Sequence, residues 1–430
     1  MNRRIFLHTT FAAMAGSAAF VRPVFAAGRS AASAAEQLHL EIWRRFIDRH
    51  GVMLDFTALD GSVDLPTPEE CRAGKPNALG WWAPIENGAM FSGSYLDMMV
   101  NRWQETKSDA DAAKARRLVE GLLLLNSVSD TKGFVARGVS TDGKSHYAMG
   151  SDDQTIPWFL GLWRFWQSGL ASGAEKQRIK ERFIETVEAI IHLGWRMPAE
   201  PPFGTRGDFT GFEFDGAARR VFVLKAMHAV TGDAKWETAY RAALKERGGK
   251  ANLSRFQVCE GGMTFWYSKR HNWTCASSVG ALRGLWEMES DAKTKAAFAR
   301  GLAASARLAA ESLPLAMQFN HSDGTTFNTD WRTAMLPFWK PQTTARESWG
   351  IAGKQLSAFL KRSPRRGMET AFIREPASAA WIVSLCPDPA VVKPYVAGIE
   401  RVIAHYDYAR LYYCTFFWLE GAWWRLQGLK

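Results

Sequence analysis

The chain has 430 residues, 47% hydrophobic and 23% charged, with 36 Gly and 17 Pro, a globular composition that argues against a disordered, collagen-like or low-complexity scaffold. Its net charge of +11 suits an anionic partner. The basic residues are scattered and carry no helix-turn-helix, zinc-finger or RNA-binding signature, so an acidic glycan is expected and a nucleic acid is not.

Arg3 and Arg4, then Phe6 and Leu7, an apolar small-residue stretch and Val24-Phe25-Ala26 read as a twin-arginine export signal over residues 1–26. The apolar run is short and broken by Gly16 and Pro23, so no integral membrane anchor is expected and the mature chain, 27–430, is assigned to the periplasm or the exterior. Export in the folded state disfavours chemistry that needs ATP or NAD(P)H. Removing the three signal arginines, Arg3, Arg4 and Arg22, from +11 leaves +8 on the mature chain.

From there the periodicity is helical almost throughout. Segment 34–50 carries one apolar stripe and reads as an outer helix; 51–85 is a long loop; 86–104 is apolar nearly all round, as a helix buried on every side would be; 109–128 is again amphipathic. The alternation of loop, buried helix and amphipathic helix returns at 129–152, 153–168 and 174–193, at 195–214, 215–230 and 233–246, and at 247–272, 273–288 and 291–311. It ends with 371–385, 389–404 and 408–427, while 312–370, with a helix at 345–361, reads as an insertion. Six outer and six inner helices in alternation predict an all-α fold, a single (α/α)6 toroid of helical hairpins. The short polar turns fall at one end and the long loops at the other, where the inner-helix N-termini should converge. Those starts, at Glu86, Asp152, Asp215 and Trp273, lie roughly 60 residues apart without sequence repetition. Long loops gathered at one end of a compact domain are expected to be functional.

Gly138-Val139-Ser140-Thr141-Asp142-Gly143-Lys144-Ser145 matches a phosphate-loop pattern, but that loop needs a helix beginning at its lysine after a buried strand, and here a loop continues through Gly150. Turn chemistry explains it. The strongest local constellation is His146-Tyr147-Ala148-Met149-Gly150-Ser151-Asp152-Asp153-Gln154, which places two carboxylates at a buried helix mouth. Ser151 and Gln154 have the spacing of a capping box, and acids favour a helix start, so one Asp is accounted for structurally; the second is a general acid/base candidate. Glu86, Glu213, Asp215 and Glu260 reach the same end, Asp215 as an expected N-cap. Glycoside chemistry uses two carboxyl groups about 5 to 9.5 Å apart, so a pair drawn from different helices fits. Trp81, Trp82, Tyr147, Phe203, Trp266, Tyr267 and Trp273 would supply flat platforms for sugar rings, and Arg137, Arg206, Lys269 and Arg270 would hold a uronate carboxylate. His146 and His271 are further candidates for sugar contacts. The nine His include no H-E-x-x-H and no i, i+4 pair, and no G-x-S-x-G elbow occurs, so neither a metal nor a cofactor is expected. The five Cys lie far apart, with buried apolar roles expected and one disulfide left open.

The hairpin pattern, together with an acid at an inner-helix start followed by Pro and apolar residues, Asp152-Asp153-Gln154-Thr155-Ile156-Pro157-Trp158-Phe159, resembles the six-hairpin glycosidase superfamily and, more loosely, its unsaturated glucuronyl hydrolases. The resemblance implies that Asp152 or Asp153 protonates the double bond of a 4,5-unsaturated uronic acid and then activates water. It implies a partner acid on the first inner helix, for which Glu86 and Asp97 are both open. The toroid is also similar to catalytic domains of polysaccharide lyases, where Tyr147, His146, His271 and Asn272 could take the eliminating roles, although the β-sandwich those enzymes commonly add has no room here. An exported glycoside hydrolase of uronate-containing glycan fragments is the expectation, with a lyase or a glycan-binding protein as alternatives.

Overall fold

The computed structural model describes residues 29–265 and 271–428. Residues 1–26, expected to be an export signal, and the expected sugar-binding residues Trp266, Tyr267, Lys269 and Arg270 lie outside them.

The fold is all-α. The helices apolar all round form where the pattern places them, as Gly88–Thr106, Asp152–Gln167, Phe214–Thr231, Asn272–Met288 and Glu375–Ser384, and their side chains are buried along most of their length. The amphipathic segments form Ala31–Glu41, Asp109–Leu125, Gly173–His192, Ala234–Lys245, Ala292–Ala310 and Val396–His405, each burying one stripe. The Gly88 helix packs on the Asp152 helix and on the final helix, Phe417–Gln427; the Asn272 helix packs on the Phe214 and Glu375 helices; and the Glu375 helix packs on the final one. The Asp152 helix touches the Phe214 and Asn272 helices. At the tightest crossing, a Cβ on Gly93 would stand 2.2 Å from the Pro157 carbonyl oxygen, and one on Gly161 2.3 Å from that of Gly93. Only glycine lets these two backbones approach so closely.

Segment 408–427 is helical only from Phe417. Residues before it form two 3-10 turns, Tyr408–Arg410 and Cys414–Phe416, joined by extended chain. Their backbone groups find partners outside any helix. Arg45, 3% exposed, donates to the carbonyls of Leu411 (2.8 Å) and Tyr408 (2.9 Å), and the buried Glu369 carboxylate accepts from the amides of Tyr412 and Tyr413. A helix there would gain nothing that these side chains do not already supply. The 312–370 segment holds the expected helix, as Ala345–Arg362, and also Trp331–Met335 and Pro364–Glu369. The long 195–214 loop contains an antiparallel ribbon, Arg196–Pro198 with Thr205–Asp208. All five Cys are free and buried. Among the described residues no helix is long and apolar enough to cross a membrane.

Candidate active site at the helix N-termini

The N-terminal ends of the buried helices are tied to one another by side chains. Gln154, in the first turn of its helix, accepts from the Met90 amide (3.0 Å) and donates to Asn87 Oδ1 (3.2 Å) of the neighbouring helix. Arg219 donates to Asp152 (2.8 Å) and, one helix further, to the hydroxyls of Ser278 and Ser277. The Asn272 amide donates to Glu375 Oε2 (2.8 Å), and the Tyr413 hydroxyl donates to Asp55 Oδ1 (3.2 Å) just before the final helix. Asp55 in turn accepts from the amide and side chain of Asn87 (2.8 and 2.7 Å), which ties Tyr413 to the start of the Gly88 helix.

Three carboxyl groups near these helix starts form a graded series. Asp55 is fully buried, and burial, then the negative charge of Glu86, push its pKa up to about 8. Glu86, 7% exposed, accepts from the Trp82 amide (2.8 Å) and lies 3.6 Å from Arg366 Nη2; burial raises it above the usual carboxylate range, against the pull of Arg366. Asp153 has a side chain 38% exposed. Burial would raise it too, but Arg137, the hydrogen bond from Ser151, Arg206 and Arg219 outweigh that and hold it below the usual range. The arrangement therefore offers a reachable anionic carboxylate beside a carboxyl biased towards its neutral form, the combination general acid/base chemistry needs.

The expected capping box does not form. Ser151 Oγ accepts from Arg137 and donates to Asp153, and Gln154 reaches across to the next helix, so both capping groups are engaged elsewhere. Asp215 is not the N-cap either: Glu213 occupies that position without a capping bond, exposed, while Asp215 lies buried in the first turn, its pKa raised by burial against the charge of Arg219. Asp97, the alternative partner acid, lies further along its helix and binds Arg425 (2.9 Å) and Arg164 (2.8 Å), apart from the mouth carboxyls. Glu260 pairs with Arg300 (2.6 Å).

Of the expected sugar-binding groups, Trp81 and Trp82 stand side by side, ring centroids 5.6 Å apart, both half-buried. Trp82 has a left-handed backbone (φ 71°), an unfavourable conformation for a bulky residue, and its amide thereby reaches Glu86. Arg206 lies over the rings of Trp81 (5.9 Å) and Trp349 (5.1 Å). Arg137 is buried, 1% exposed, and donates to the carbonyls of Glu86 (3.0 Å) and Met149 (3.2 Å) and to Ser151 (2.9 Å). Its place is behind the acids, bridging the loop before the Gly88 helix to the start of the Asp152 helix. Tyr147 is buried, its hydroxyl on the Lys75 carbonyl (2.6 Å), with no exposed face for a sugar. His146 pairs with Glu200 (3.0 Å); that bond and the Lys144 carbonyl raise its pKa although burial opposes them. His271 is the N-cap residue of the Asn272 helix, and Trp273 stacks under Arg374 (4.3 Å).

Asp55, Arg219, Arg366 and Tyr413 escape the sequence reading. Arg366, 4% exposed, sits among the rings of Trp82, Phe359, Tyr413 and Phe56 at 5.0 to 5.9 Å, its charge directed at Glu86. The one signal for Asp55 is a carboxylate inside the apolar run Val52-Met53-Leu54-Asp55-Phe56. No protein-family model matches the chain, and no curated protein is significantly similar to it in sequence.

Proposed function

We propose that the chain is an exported glycoside hydrolase of uronate-containing glycan fragments, built as an (α/α)6 toroid, with Asp153 and Glu86 as its working acids. The helix contacts support the toroid: taken in order, the Gly88, Asp152, Phe214, Asn272, Glu375 and Phe417 helices each touch the next and the last touches the first, with amphipathic helices packed around them. The observation that carries the function is the pairing, around Arg137, of the half-exposed Asp153, held ionised, with Glu86, held towards its neutral form. In this reading Asp153 takes a proton from water, or attacks the anomeric carbon itself, while Glu86 gives a proton to the departing oxygen. Trp81 and Trp82 carry the sugar ring, and Arg206 meets the uronate. The lyase alternative is weakened because Tyr147, its base, is buried against a backbone carbonyl and His146 is engaged by Glu200.

Mature protein incubated with acidic polysaccharides and with their lyase-generated oligosaccharides, followed at about 235 nm and by reducing-end assay, tests the proposal. New reducing ends with falling or constant absorbance support it. A rise in absorbance would establish a lyase, and binding without turnover would establish a glycan-binding protein.

A further inference from the structure

A second cluster, sharing no residue with the mouth, has the arrangement of an activated nucleophile. His39 is buried, 1% exposed. Its Nδ1 lies 2.7 Å from Glu420 Oε1 and its Nε2 2.5 Å from Lys114 Nζ. Glu420 is fully buried; its other oxygen accepts from the Tyr95 hydroxyl at 2.6 Å, and Arg102 Nη1 stands 3.7 Å from Oε1. Burial raises Glu420, but His39, Arg102 and Tyr95 outweigh it, so it stays anionic. The imidazole nitrogen facing that anion carries a proton, which orients the ring and leaves Nε2 and the lysine amine a single proton to share.

The groups facing Lys114 explain why the proton is loosely held. Desolvation comes first and Arg102 adds repulsion, against the attraction of Asp111, Glu420 and Glu36; the result lies below the usual lysine range. Nζ also stands 5.3 Å from the Trp43 ring centre. Lys114 as a residue is half-buried, unlike the fully buried His39 and Glu420 behind it. A nucleophile within hydrogen-bond reach of a base, itself oriented by a third group, is the general signature of covalent chemistry.

We infer that Lys114 is a nucleophilic lysine, activated by His39 and Glu420, which condenses reversibly with small aldehydes. The neutral Nζ lone pair forms a C–N bond to the carbonyl carbon, and the carbonyl electron pair moves to oxygen, which takes the proton held by His39. The nitrogen then gives a proton back to His39, which passes it to the hydroxyl, and the carbinolamine loses water as the freed nitrogen lone pair forms the C=N bond, leaving a protonated imine and a neutral His39; no oxidant or reductant takes part.

The test is to treat the full mature protein with limiting glycolaldehyde and cyanoborohydride between pH 6 and 9, and to read each lysine by peptide mass spectrometry. Lys114 should be labelled about tenfold faster at pH 7 than the exposed Lys132 and Lys250, with a rate that levels off at lower pH than theirs. His39→Gln should bring it to their level. Equal labelling of the three lysines in the wild-type protein, or unchanged preference in a folded His39→Gln protein, would overturn the inference. If that variant does not fold, the wild-type selectivity and pH profile decide the question alone.

Discussion

Asp152 and Asp153 are adjacent in sequence, yet they face different tasks. Asp152 takes a hydrogen bond from Arg219, a guanidinium only 4% exposed, whereas Asp153 is the more open of the two. Replacing Asp153 by Asn should lower turnover by about 10²- to 10⁴-fold and lower the melting temperature modestly, since the charge that Arg137, Arg206 and Arg219 stabilise is lost. Asp152→Asn should instead destabilise the fold by about 2–3 kcal/mol, because a charged hydrogen bond to a buried arginine is lost. Denaturant melts and kcat measured on both variants check the division. Asp55 makes a prediction of opposite character. Its folded pKa, about 8, lies above the unfolded carboxylate value, so between about pH 4 and 8 the folded state binds a proton that the unfolded state has released. Stability from this group is therefore lost as pH rises through that window, and the melting temperature of Asp55→Leu should fall less steeply over the same range than that of the wild type. The two adjacent acids are legible in sequence because a helix start brings them together locally. Asp55, Arg366 and Tyr413 are not, because they come from three separate non-periodic stretches and meet only through tertiary packing.

At the scale of elements, the crossing of the Gly88 and Asp152 helices sets the spacing of Glu86 and Asp153, which stand at their starts. Gly93→Ala would place a methyl carbon 2.2 Å from the Pro157 carbonyl, so the helices must separate; a loss of about 2–3 kcal/mol in chemical denaturation is expected, accompanied by reduced kcat. Arg45→Ala tests the stretch that departs from its helical pattern. It would leave the carbonyls of Tyr408 and Leu411 without their donors, costing about 2–3 kcal/mol and loosening the hold of Tyr413 on Asp55; thermal melts would show it. The buried and amphipathic helices are readable since 3.6-residue periodicity records how much of each surface meets the core. Tyr408 to Phe416 are just as apolar, and apolarity alone does not distinguish a buried helix from a buried loop whose polar backbone is satisfied by Arg45 and Glu369. That satisfaction comes from residues more than 40 positions away in one case and more than 360 in the other.

Across the whole molecule, the beginning and the end of the chain depend on each other. The Ala31 helix packs on both the Val396 and the Phe417 helices, and Glu420 supplies the carboxylate that His39 and Tyr95 require. A protein truncated after Phe416 should consequently fail to fold as a unit rather than lose one hairpin, giving a non-cooperative melt and rapid proteolysis. Alternation over nearly 400 residues makes the helical architecture readable from sequence, while which helix neighbours which depends on contacts such as Gln154 with Asn87 that no local pattern records.

The order of synthesis gives the His39–Glu420 contact another meaning. While the polypeptide is being made, His39 and Tyr95 emerge from the ribosome more than 300 residues before Glu420. Until the Phe417–Gln427 segment arrives, both polar side chains have no buried carboxylate to receive them, and the apolar faces of the Ala31 and Gly88 helices lack the helix that covers them. Residues 417–427 thus act as a completion signal for the first helices: a nascent chain keeps exposed, chaperone-accessible surface there until that helix has been made, and a product terminated before it carries that surface permanently.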